Sequence, residues 1–305
     1  VWETEESQHI CLVSRYKDAF ADELIRLVNE VGVTYFKWDA IGQYGCDDPR
    51  HQHGTEECSH QERADSYAFQ LGQAMAYVVD RVCRACPEAI VDFDITEGGR
   101  CVGLGFLAAG KYFLINNGPY YQNYNVPKSY DGNSNLFFHP GPARTWVCRT
   151  PLNFDKWIPS VLFLTHYLPD DPADNQIINI ASLILGQNGI WGDLLSISDE
   201  GINRFGHLLG LYKQVRDDIT CSSPVRTGPV AGSPEIHEKI ASSGRGAVVI
   251  FSNTAGNYTY VTQHTVVETA KATDGARITR DAEGRAVIHA TFDRAGAHII
   301  FFGVQ

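Results

Sequence analysis

The chain of 305 residues has no apolar run approaching the ~20 residues that a membrane-spanning helix requires, so no helical membrane partner is expected. It also has no excess of cations: 25 Lys and Arg face 36 Asp and Glu, a formal net charge of −11. That balance argues against a nucleic-acid partner and suits a neutral ligand. Eight cysteines in a chain this long do not make a disulfide scaffold. Neither an initiator Met nor a signal peptide precedes Val1, which leaves the compartment of a soluble protein open between cytoplasmic and secreted. The length allows a substantial core and two domains.

What is present is organised around residues 31–39, VGVTYFKWD. The run is β-branched and aromatic, contains no proline, and follows an amphipathic helical stretch over residues 18–29. Lys37, Trp38 and Asp39 close it with a cation, an aromatic ring and a carboxylate. In a β/α barrel the C-terminal ends of strands carry the catalytic side chains; in a bland strand, Asp39 only starts a turn. Alternation puts Lys37 on the same side as Asp39, and Trp38 on the packing side.

Further strands and helices alternate along the chain. Residues 10–14 read as a short strand, 65–86 as a long helix and 89–95 as a strand ending in Thr96-Glu97-Gly98-Gly99-Arg100. Residues 112–117 (YFLINN) form the next strand, 157–168 contain another, 173–185 are helical and 189–195 give the last, before a helix that Ser198 starts and that runs to about residue 218. After residue 220 the composition changes. Residues 221–234 read as a linker, and the runs 247–252, 258–262, 266–268, 286–292 and 297–303 are separated by turn residues. They describe an antiparallel β-sandwich.

Three stretches carry a family resemblance: the Lys37-Trp38-Asp39 strand, DFDITEGGR at residues 92–100, and LYKQVRDDI at residues 211–219. In order and spacing they resemble the α-galactosidase/melibiase group of glycoside hydrolases (family 36-like, clan D). The resemblance implies an α/β chain: a (β/α)8 TIM barrel over residues 1–220 and an antiparallel β-sandwich over 221–305. Only about six of the eight strands a barrel needs are counted, and the family's opening strands have no counterpart. A piece of a longer protein is the favoured explanation, with a second copy or other chain completing the barrel as the other.

By the same resemblance Asp39 is the nucleophile of a retaining glycosidase, and Asn117 occupies the place of the acid/base. An amide cannot supply a proton and take it back. Substitution to trap a complex, takeover by Asp94 or Glu97, and sugar binding without cleavage all remain open. Lys37, Asp94, Glu97, Gly98, Gly99, Arg100, Tyr120 and His166 are expected to contact substrate. Asp94 and Glu97 have helix capping as an equal reading. The expected partner is a carbohydrate, α-linked galactose or N-acetylgalactosamine, with no cofactor and no metal.

The long segment 118–156 adds Tyr121, Tyr124, His139, Trp146 and Arg149 as further sugar contacts. The loop over residues 42–64 carries Cys46, Cys58, His51, His53 and His60, whose spacing matches no common zinc pattern. A solvated loop over a sugar site is the simplest reading, ahead of a Cys46–Cys58 bridge and of a metal site. Cys83 and Cys86 form a C-x-x-C at a helix end, not at the mouth of a strand, which speaks against redox chemistry.

Overall fold

A computed structural model describes residues 10–38, 46–94, 112–115, 161–166, 172–191, 194–229 and 232–305, with side chains at 10–38, 46–92, 172–186, 194–229 and 232–305. The chain divides into two compact units, Val1–Phe113 and Leu114–Gln305.

The first unit opens with bends and a turn through residues 10–15, where a strand was expected. Ser14 is the reason: its hydroxyl donates to the Cys11 carbonyl at 2.6 Å and accepts from the Tyr16 amide at 3.1 Å. Such local side-chain bonds give the backbone an alternative to a strand ladder. Helix α1 (Tyr16–Arg26) follows and passes into a π-helical turn, Leu27–Val31. Gly32 ends it at φ 83°, a left-handed conformation that costs a residue without Cβ little.

Strand β1 (Tyr35–Trp38), helix α2 (His60–Ala85) and strand β2 (Ile90–Asp94) then form a βαβ unit. The strands are parallel, with Tyr35 opposite Ile90 and Lys37 opposite Asp92. Alternation sorts their side chains onto two faces. Trp38 takes the helix side, as expected: it is buried, and its ring lies 5.7 Å from that of Phe20 in α1. Helix α2 packs along α1.

Helix α2 begins five residues earlier than its apolar periodicity suggests because Ser59 and Glu62 form a capping box. The Ser59 hydroxyl accepts from the Glu62 amide at 3.2 Å, and the Glu62 carboxylate accepts from the Ser59 amide at 2.7 Å. Replacing Ser59 by alanine is expected to cost about 1 kcal/mol, read as a lower urea midpoint at unchanged slope. A change below about 0.3 kcal/mol would show that the cap contributes nothing to stability.

Strand β3 (Tyr112–Ile115) straddles the boundary between the units. The second unit continues with a second βαβ element: β4 (Val161–His166), α3 (Ala173–Leu183) and β5 (Gln187–Trp191), the strands again parallel. Helix α4 (Asp199–Cys221) is capped by Ser198, whose hydroxyl accepts from the Gly201 amide at 3.1 Å. The composition change after residue 220 falls at the end of α4, inside this unit.

Eight antiparallel strands complete it. They are β6 (Val225–Thr227), β7 (Glu235–Ile240), β8 (Gly246–Ser252), β9 (Gly256–Thr265), β10 (Ala270–Ala272), β11 (Ala276–Arg280), β12 (Arg285–Phe292) and β13 (Gly296–Phe302). One sheet runs β10-β13-β8-β7-β6 and the other β11-β12-β9. Ile236, Ile240, Val248, Ile250, Ile300 and Phe302 of the first meet Tyr260, Ile288, Ala290 and Phe292 of the second. The sandwich is therefore present.

Its details differ from expectation: β7, β10 and β11 were not among the expected runs. Residues 266–268 are not a strand, and the supposed linker contains β6. The five-stranded sheet is also covered on its other face. Helix α3 lies against β13, and α4 crosses β7, β8 and β13, so every residue of those three strands is buried. Burial on both faces explains why β8 and β13 read as continuous apolar runs instead of alternating.

Candidate active site and the loop that follows it

The face of β1 and β2 opposite the helices carries Tyr35, Lys37 and Asp92, brought side by side by the parallel register. Asp92 is fully buried, and its carboxylate accepts a hydrogen bond from the Tyr35 hydroxyl. Lys37 is half-buried next to it. A cation and a buried acid thus sit on adjacent strands, one position short of the strand end where Asp39 follows. Asp92 is a polar neighbour that sequence reasoning passed over in favour of Asp94. The signal was available, since Asp92 and Asp94 are two residues apart in one strand and so share a face.

Much of the expected sugar site falls outside this description. Asp39, Glu97, Gly98, Gly99, Arg100, Asn117 and Tyr120 lie outside the described residues, as does the segment over 118–156. Asp94 and His166 are the last residues of β2 and β4, with their side chains outside the description. Of the proposed substrate contacts, Lys37 alone is described to its side chain.

The stretch over residues 46–59, ahead of α2, is held by Arg63 of that helix, a buried arginine. Its guanidinium donates to the backbone carbonyls of Asp47 at 2.5 Å, Thr55 at 3.1 Å and Cys58. The Gln52 amide donates to the Val13 carbonyl at 3.3 Å, which lays the loop on the segment before α1. Cys46 and Cys58 are both free thiols, so the expected alternative of a bridge between them is not realised. Arg63 holds Cys58 by its carbonyl at the foot of α2, while Cys46 turns toward Cys11, His51 and His53. These four place one ligand atom each within 4.8 Å of one another, the one group among the described residues suited to holding a metal ion. Burial, with Cys46 beside it, pushes the Cys11 thiol up to about 12. Cys11 was missed because its apolar neighbours disguise it and 34 residues separate it from Cys46. Cys83, near the end of α2, and Cys86, on its C-cap, form no disulfide.

In the second unit a cleft of about 960 Å³ opens beside α3, α4 and β13, lined among others by Asp174, Arg204, His207, Lys271 and Asp293. None of the residues expected to contact sugar is among the described residues that line it. An ion pair between Arg294 and Asp174 spans from the strands to the start of α3.

No protein-family profile matches the sequence, and no curated protein sequence matches it. Comparison of folds is more informative. The chain is similar over 100% of its length to the GH36 α-galactosidase AgaA from Geobacillus stearothermophilus, at a TM-score of 0.60 and 13% identity. It is similar over 99% of its length to the α-galactosidase from Lactobacillus brevis, at a TM-score of 0.58 and 9% identity. A GH27 β-L-arabinopyranosidase from Geobacillus stearothermophilus, in complex with arabinose, gives a TM-score of 0.52 at 11% identity over 94% of the chain. The chain spans 41% of the length of each of the two α-galactosidases, and 62% of the arabinopyranosidase. It therefore has the fold of the C-terminal part of GH36 α-galactosidases.

Proposed function

We propose that this chain belongs to a retaining glycoside hydrolase acting on α-galactosides or related α-glycosides. The βαβ units are its share of a (β/α)8 barrel. The reading rests on one observation: over its whole length the chain shares a fold with GH36 α-galactosidases, and within that fold Lys37 sits at the end of a parallel strand with Asp39 next but one. AgaA variants hold raffinose and stachyose in their crystals, which supports a carbohydrate ligand here.

In the proposed mechanism Asp39 attacks the anomeric carbon and forms a covalent glycosyl-enzyme, which water then hydrolyses. The ammonium of Lys37, on the same side of the strand, favours the ionised carboxylate and can donate to a sugar hydroxyl. Asp94, Glu97, the Gly98-Gly99 turn, Arg100, Tyr120 and His166 line the sugar. Asn117 stands at the acid/base position and cannot protonate the departing oxygen.

An aryl α-galactoside with a very good leaving group tests this, because its departure needs little acid help. The protein is expected to release a burst of aryl alcohol, and Asp39→Ala to release none. A second reading follows from Asn117: a catalytically impaired homologue that binds glycans without cutting them. Galactose binding with no burst on any α-glycoside tried would favour it over hydrolysis.

A further inference from the structure

We propose that Cys11, Cys46, His51 and His53 form a structural zinc site. Two thiolates and two imidazoles are a ligand set that tetrahedral Zn²⁺ takes in closed, non-catalytic sites. Bond lengths of about 2.3 Å to sulfur and 2.0 Å to nitrogen set the edges of such a tetrahedron at roughly 3.3–3.8 Å. The Cys46 Sγ and His51 Nδ1 atoms are already 3.2 Å apart, and all four ligand atoms lie within 4.8 Å. A small inward contraction completes the shell.

His53 is the residue that points to a cation. It is 1% exposed, and its Nδ1 lies 3.1 Å from the Arg63 carbonyl. A carbonyl can only accept, so Nδ1 carries the proton and Nε2 presents a lone pair. Nε2 is buried and without a hydrogen-bond partner. A buried acceptor left in this state is costly in a folded protein, and a metal ion satisfies it. The backbone carbonyl behind the ring is the outer-shell support that metal-bound histidines usually have.

The frame around the four ligands is built to hold them. Arg63 fixes the carbonyls on both sides of the His51–His53 segment, and the Gln52 amide ties its middle to Val13, two residues from Cys11. Four protein ligands leave no open position, so the metal's work is to fasten the loop after β1 to the segment before α1. This inference stands on the loop alone and does not depend on the sugar reading.

The test is elemental analysis of the intact protein purified without chelator, or reconstituted with zinc chloride under reducing conditions. About one zinc per chain is expected, and cobalt replacing it should show thiolate-to-cobalt charge-transfer absorption. Cys46→Ser and His53→Ala should each cut zinc retained after gel filtration at least tenfold. Cys58→Ser, one loop turn away and outside the cluster, should keep it. Far-UV circular dichroism identifies any variant that fails to fold, and the cobalt spectrum of the unaltered protein decides the matter independently. Zinc below about a tenth of an equivalent after reconstitution, equal loss in Cys58→Ser, or a Cys11–Cys46 disulfide in peptide maps of the zinc-free protein would each overturn the site.

Discussion

Asn117→Asp is expected to raise turnover of an α-galactoside with a poor leaving group by about 10²–10⁴-fold, the range that a positioned general acid contributes. The gain in kcat/KM, which reports formation of the glycosyl-enzyme, should shrink as the leaving group improves, since an activated aryl group departs without a proton. It should also vanish when Asp39→Ala is combined with it, because no glycosyl-enzyme then forms. That pattern separates a missing acid from a missing enzyme. A restored carboxylate that leaves all substrates equally slow would mean that position 117 does not face the glycosidic oxygen, and the acid must be sought at Asp94 or Glu97.

Glu238→Ala is expected to destabilise the second unit by about 3–5 kcal/mol, because it strips the acceptor from three donors at about 1–3 kcal/mol each. Glu238 has no exposed surface, yet its carboxylate accepts four hydrogen bonds. They come from the Tyr260 hydroxyl at 2.8 Å, the amides of Gln263 and His264 at 2.9 and 3.0 Å, and His264 Nδ1 at 2.6 Å. Burial, with this carboxylate alongside, pushes the Tyr260 hydroxyl well above its usual range and keeps it a donor. Alanine leaves two backbone amides and a phenol without an acceptor. Because the His264 ring is half exposed, its share is screened by water, and the two amides and Tyr260 carry most of the loss. Glutamine keeps one accepting oxygen and should cost about 1–3 kcal/mol. Urea denaturation measures both, and a loss under about 1 kcal/mol for alanine would mean that water replaces the carboxylate without penalty.

The same strand shows where the sequence stops being readable. Glu235-Ile236-His237-Glu238-Lys239-Ile240 was assigned to no strand, so β7 was not anticipated, although all six residues are buried. Its charges are satisfied partly within the strand and partly by groups far away in the chain. His237 meets Glu235 at 2.8 Å, Glu238 reaches β9, and the Lys239 ammonium donates to the Leu185 carbonyl at 2.8 Å behind α3. Periodicity reports burial only where apolar residues do the burying. For that reason β8, β12 and β13 were legible and β7 was not. Turn chemistry misled in a second place: Ser14 bends an apolar run that alone would read as a strand.

The candidate site divides along a similar line. Lys37 and Trp38 follow from strand alternation, and Trp38 packs where alternation put it. The convergence of Cys11 with Cys46, His51 and His53 depends on how a loop returns to a distant segment, which no local spacing encodes.

The five-stranded sheet, covered by helices on one side and strands on the other, makes the C-terminal strands something other than an appendage. Ala247, Val249, Phe251, Ile299 and Phe301 are buried and lie outside the inter-sheet core, on the face that α3 and α4 cover. Cut free after α4, that face would be a water-exposed apolar surface seeking another partner. Helices α3 and α4 and the β strands thus bury one another's apolar surface, and a fragment started at the change in composition would lose that cover.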